Sequence, residues 1–119
     1  MHNFRELKVW QNARSLTKDV YSLSTKFPQE ERFGLTAQIR GCAVSVVSNI
    51  AEGSGRGTNK DFSHFLNMSL GSSCELETQL IVAHDLGFIS VNELNDFTDK
   101  IQEIRKMLVG LQKKLLALI

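Results

Sequence analysis

Leu35–Arg56 reads LTAQIRGCAVSVVSNIAEGSGR. Ile39, Ala43, Val46 and Ile50 recur at intervals of 4, 3 and 4, the spacing of one helix face turned to a core. The same stretch carries Gln38, Arg40, Ser45, Ser48, Asn49, Glu52 and Arg56. Polar side chains rarely go inside without partners, so this helix has a core on one side and something polar on the other. Gly41, Ala43, Ala51, Gly53 and Ser54 keep its surface thin enough for a neighbouring backbone to approach. Gly53, Gly55 and Gly57 end it, glycine being favoured just past a helix end.

Upstream, Val9, Ala13, Leu16, Val20, Leu23 and Phe27 step by 4, 3, 4, 3 and 4, which predicts a first helix over Phe4–Lys26. Trp10 and Tyr21 widen its apolar face; Arg5, Lys8, Arg14 and Lys18 lie off it. Pro28 makes Phe27-Pro28 a turn, because the residue before proline disfavours helical angles. The acidic Gln29–Glu31 run suits the restart of helix two, with Gly34 as a break before the main run.

Downstream, Thr58-Asn59-Lys60-Asp61 is an approximate capping box for helix three. Its expected inner face is Phe62, Phe65, Ser69, Leu76, Leu80 and Ala83, with Gly87 as its cap. Ser90-Val91-Asn92-Glu93 fits the capping box of helix four, and Ile89 with Leu94 fits the accompanying hydrophobic staple. Leu94, Phe97, Ile101, Ile104, Leu108, Leu111, Leu115 and Leu118 then form an unbroken heptad seam. Four helices with short links predict one all-α domain over residues 1–119, an antiparallel up-down-up-down four-helix bundle. Met107, Leu116 and Ile119 add apolar surface beside the seam. That surface fits burial in a homo-oligomer; the alternative is a wide core stripe in a monomer.

If helices two and three turn near Gly57, facing residues have numbers summing to about 115, by the geometry of helix hairpins. Arg40 is then expected to meet Glu75, fixing register, Ser45 to meet Ser69 or Leu70, Asn49 to meet Phe65 or Leu66, and Cys42 to approach Cys74. Asn49, Glu52 and Arg56 line one strip, either a solvated helix end or a polar inter-subunit or ligand-facing patch.

The net charge of +1 divides unevenly: residues 1–60 carry nine Lys/Arg against five Asp/Glu, and residues 61–119 five against eight. Overall composition therefore does not mark a nucleic-acid binder, although a local basic zone remains open. No apolar run approaches the roughly 18 residues of a membrane span. The N-terminus lacks a hydrophobic signal region, and Cys42 and Cys74 form no C-x-x-C unit, so a reducing cytoplasm is expected.

Chemistry finds little footing. Asp61-x-x-His64 is a single loose analogue of the paired Glu-x-x-His units of di-metal bundles, and it reads as a surface pair. Neither cysteine has a local activating signature. GSGRGT lacks the lysine-hydroxyl pair of a phosphate-binding loop. No enzyme activity, metal or cofactor is expected. A better case exists for Arg5, Lys8, Arg14 and Lys18 joining Arg56 and Lys60 in a phosphate-contacting zone, set against a merely soluble charged face.

FRELKVWQ (residues 4–11), Phe27-Pro28, FGLTxQIR (33–40), AVSxxSNIAEGxGR (43–56), DFxxFL (61–66) and GSxxELExQL (71–80) occur in an order that resembles the 23S rRNA intervening-sequence protein family. The resemblance spans nearly the whole chain, thins in helix four, and extends to the accessory protein of diversity-generating retroelements. It implies a four-helix bundle assembled as a ring-like homopentamer, without established enzymatic activity, with some relatives binding nucleic acid. It marks Gln38, Arg40, Ser48, Asn49, Glu52, Gly53, Arg56, Glu75 and Glu77 as signature positions. Where the family often has Pro, this chain has Val47; where it often has a basic residue and Ala, this chain has Gly41 and Cys42. The expectation is a non-enzymatic oligomer binding RNA or DNA through helix one and the helix two–three turn. The alternative is an adaptor or scaffold whose polar strip docks a protein encoded nearby.

Overall fold

The computed structural model describes residues 2–117. Four helices make the molecule: α1 (Lys8–Ser24), α2 (Leu35–Ser54), α3 (Asn59–Asp85) and α4 (Val91–Leu116), with single 3-10 turns at Phe4–Glu6 and Gln29–Glu31. No strand occurs among the described residues. Leu118 and Ile119, expected to extend the apolar surface of helix four, lie outside them.

Each boundary has a local cause. Asn3 Oδ1 accepts from Arg5 N–H and caps the first 3-10 turn, after which Leu7 is extended, so α1 starts four residues later than expected. α1 ends before Phe27-Pro28, as the proline demands. Gly34 precedes α2, and Thr58 Oγ1 accepts from Asp61 N–H at 3.1 Å to start α3. α3 stops in a Schellman motif: Phe88 N–H donates to Ala83 C=O and Gly87 N–H to His84 C=O, each at 2.9 Å. That motif needs a left-handed residue, and Gly87 supplies it at φ +81°. Ser90 and Glu93 complete the reciprocal capping box of α4.

The core follows the sequence periods closely. Val9, Ala13, Leu16, Val20, Leu23 and Phe27 are all buried, as are Ile39, Ala43, Val46 and Ile50. On α4, Phe97, Ile101, Ile104, Leu108 and Leu115 are buried, with Leu94 and Leu111 packed partly against them. Tyr21 departs from expectation: it is 43% exposed. Of the apolar excess on helix four, Met107 turns inward, its Sδ taking the Asn12 amide at 3.3 Å, while Leu116 stays exposed.

Polar contacts fix how the helices lie against one another. Between α2 and α3, Cys42 meets Glu75, Ser45 meets Ser72 and the Val46 carbonyl meets Ser69. Between α3 and α4, Asn59 reaches Leu115, Ser63 meets Gln112, and Glu77 pairs with Arg105. Lys100 of α4 bonds Asp19 of α1 at 3.2 Å. Along α2 and α3 these contacts join residue 42 to 75, 45 to 72 and 46 to 69.

Several expected pairings are corrected, the first being Ser45, whose Oγ bonds Ser72 Oγ at 2.8 Å in place of Ser69 or Leu70. Arg40 does not meet Glu75: its Nε donates to Ser24 Oγ at 2.8 Å and its Nη2 to the Tyr21 carbonyl at 3.3 Å. Arg40 shares a face with Ala43, whose carbonyl accepts from Thr17, so that face belongs to α1. Nor do the cysteines approach as a pair. The register places Cys42 opposite Glu75, and Cys74, about 100° around the helix from Glu75, faces Arg105 from an exposed position. Both thiols are free.

Candidate functional site

One end of the bundle collects residues 2–8, the end of α2, the start of α3 and the end of α4. Two contacts fasten it: His2 N–H donates to the Ser54 carbonyl at 3.0 Å, and Asn59 Nδ2 to the Leu115 carbonyl at 3.4 Å. The close fit there explains Gly53. A Cβ at that position would lie 2.7 Å from Phe65 Cβ and 2.8 Å from Phe62 Cδ1, so only glycine lets α3 pass so near.

Arg5, Lys8, Arg56 and Lys60 stand exposed on the elements that meet here. Lys113 and Lys114, in the last turn of α4, join them. Sequence reasoning missed these two because they belong to the acidic half of the chain. The available signal was local: cations suit a helix C-terminus. Opposing them are Glu6, Glu52 and Asp61, so six cations face three carboxylates. At the far end stand three cations, Lys26, Arg32 and Arg40, against four carboxylates, Glu30, Glu31, Asp85 and Glu93. Charge is thus divided by end, not by halves of the sequence, along a molecule 47 Å in its longest dimension.

The remaining candidates spread along α1. Arg14 is exposed, with its Cζ 5.6 Å from the Trp10 ring centre, which draws it back toward the basic end. Lys18 is exposed too, but ten residues beyond Lys8, about 15 Å at the helical rise. The structure therefore brings together Arg5, Lys8, Arg56 and Lys60, adds Arg14 at the margin, and leaves Lys18 apart.

The polar positions divide among four environments. Arg40 and Glu77 bind neighbouring helices, α1 and α4 respectively. Ser48 and Glu52 are exposed, and Glu52 pairs with Arg56 one turn on, at 3.3 Å. Asn49, expected to meet Phe65 or Leu66, instead donates to the Ser45 carbonyl at 2.9 Å within its own helix. Gln38 and Glu75 line a shallow groove between α2 and α3 with Gly41, Cys42, Ser45, Ser72 and Gln79. Its Gln79 Oε1 is buried without a hydrogen-bond partner among the described residues.

Cys42 sits at the base of this groove, 8% exposed, with its Sγ 3.3 Å from Glu75 Oε2. Burial, followed by the bond and charge of Glu75, pushes the thiol up to about 11. It therefore stays protonated at neutral pH and makes a poor nucleophile. Asp61 and His64 assemble no site: among the described residues no three His, Cys, Asp or Glu side chains are placed to hold a metal ion. No described helix is long and apolar enough to cross a membrane.

Comparison with known proteins identifies the framework. A crystal structure of a protein of unknown function from the S23 ribosomal protein family of Bacteroides thetaiotaomicron superposes with a TM-score of 0.81, covering 88% of this chain and 95% of that one. At 23% identity this is a likeness of fold. No curated protein matches the chain. The family model of the 23S rRNA-intervening sequence protein matches residues 5–110. With nearly the whole chain matched, the protein belongs to the 23S rRNA-intervening sequence protein family.

Proposed function

We propose that this protein is a non-enzymatic, homo-oligomeric binder of nucleic acid that contacts phosphates through the basic end of an antiparallel bundle. The opposed running of residue numbers across α1/α4, α2/α3 and α3/α4 supports the antiparallel arrangement. The observation that carries the binding role is the gathering of Arg5, Lys8, Arg56 and Lys60 with Lys113 and Lys114 at one end. Phosphate contacts require positive side chains and little else, so such an end binds without demanding a particular sequence. The family's association with rRNA insertions makes structured RNA the first ligand to test.

Oligomer formation is proposed through the outer face of α2 and α3. A Cβ added at Gly41 or Gly71 there would meet nothing within 4 Å, and Val44, Met68 and Val82 are exposed. Burial of such a face in a ring of five copies repeats the basic end and multiplies its affinity. The free thiols fit a cytoplasmic setting.

The test is charge reversal. Arg56→Glu/Lys60→Glu is expected to weaken binding to an RNA hairpin by tenfold or more, whereas Arg32→Glu at the far end leaves it unchanged. Equal effects of the two variants would overturn the assignment. A second reading, a protein-binding adaptor, draws on the unpartnered Gln79 Oε1 in the α2/α3 groove. It gains if wild-type protein ignores RNA and DNA alike.

A further inference from the structure

The basic end carries aromatic rings as well as charge, and each of three arginines there lies over one. Arg5 Cζ is 5.1 Å from the centre of the Phe4 ring, Arg14 Cζ is 5.6 Å from Trp10, and Arg56 Cζ is 4.6 Å from Phe65. The rings themselves are coupled: Phe4 and Trp10 are 5.0 Å apart at 60°, and His64 meets Phe65 edge-on at 6.0 Å. The three guanidinium groups belong to exposed residues, and their rings are half-buried, so the pairs are anchored at the base and open above.

A pure phosphate-binding surface has no use for this arrangement, since lysine on a bare helix would serve. Aromatic rings and guanidinium planes are what unpaired bases stack upon. Duplex bases are hidden from such a platform by their own stacking. The far end offers a contrast. Arg32 lies 5.2 Å from the centre of Phe33, a ring 87% exposed, on the same turn as Glu30 and Glu31. Arg40 lies 4.8 Å from the Tyr21 ring, with its Nε and Nη2 already donating to Ser24 and the Tyr21 carbonyl.

We infer that the basic end is a site for single-stranded nucleic acid, in which bases stack on the Phe4–Arg5, Trp10–Arg14 and Phe65–Arg56 pairs while the surrounding lysines hold the backbone. This inference rests on the proposed nucleic-acid binding and adds the form of strand that it selects. RNA and DNA share the required base and phosphate chemistry, so both enter the test.

The experiment titrates the wild-type protein with a 12-nucleotide oligo(U), an oligo(dT) of equal length and a 12-base-pair duplex, each at a low and a high salt concentration. Affinity is read together with emission from Trp10, the chain's single tryptophan. At least one single strand is expected to bind tenfold or more above the duplex and to quench Trp10. Which one does so names the source of the ligand. Arg14→Lys and Arg56→Lys keep the charge, remove the planar guanidinium and leave the core untouched. Each is expected to cost single-strand affinity several-fold, the scale of one stacked base, and duplex affinity distinctly less. Equal affinity for strand and duplex, with both binding in a salt-dependent way, overturns the single-strand inference alone. Salt-independent behaviour or no binding by any of the three ligands overturns the phosphate-binding reading as well.

Discussion

Gly53 and Cys42 are the residues whose surroundings are most sharply determined. Gly53→Ala would drive a methyl into Phe62 and Phe65, and it is expected to destabilise the protein by about 1–3 kcal/mol, the usual cost of overpacking; a denaturant midpoint measures this. Burial holds the Cys42 thiol neutral in the folded state, with Glu75 adding to the effect. Its folded value lies above its unfolded one, so its contribution to stability is complete below about pH 9 and is lost as pH rises toward about 11. Stability of Cys42→Ala, followed over that range, is expected to lack this decline. In native protein, a maleimide should modify exposed Cys74 rapidly and Cys42 only on unfolding. Gly53 was legible as a close-approach position from its small neighbours. The partners of Arg40 and Cys42 were not, because a shift of one or two positions in helix register redirects a side chain to another neighbour.

At the level of elements, the connection between α3 and α4 holds the strongest local signals. Ser90 Oγ accepts from Glu93 N–H at 3.1 Å and Glu93 Oε1 accepts from Ser90 N–H at 2.9 Å, while Lys26, just past the end of α1, pairs with the same carboxylate. Lys26 and the Ser90 backbone together hold the Glu93 carboxyl below the usual glutamate range. A depressed folded value means that its stabilisation is present above the unfolded pKa and disappears as pH falls through the folded one. Glu93→Gln is therefore expected to flatten the acid limb of the stability profile. Ser90→Ala should cost about 1 kcal/mol through loss of the cap. Helix identity, the buried periods and this capping box were all readable, since each depends on residues within a few positions of one another. The 3-10 turn at Phe4–Glu6 was not, because the Asn3 cap competes locally with a helix that the apolar spacing alone would extend.

For the whole molecule, position along the bundle organises charge. The halves of the sequence differ in sign, yet α4 ends beside the start of α3, so Lys113 and Lys114 leave the acidic half to join the basic end. No pattern within one segment could reveal that meeting. Assembly belongs to this scale too. Gly41→Leu would fill an open helix face, and it is expected to lower the mass found by light scattering while preserving helix content. An unchanged mass would separate oligomer formation from the α2/α3 face. The most direct test of the central claim is the salt dependence of affinity for a single-stranded oligonucleotide by the wild-type protein. Four to six neutralised phosphates per protomer predict that the logarithm of the binding constant falls with that of salt at a slope of about −3 to −4. A slope near zero, or no binding at low salt, would contradict a phosphate-contacting basic end.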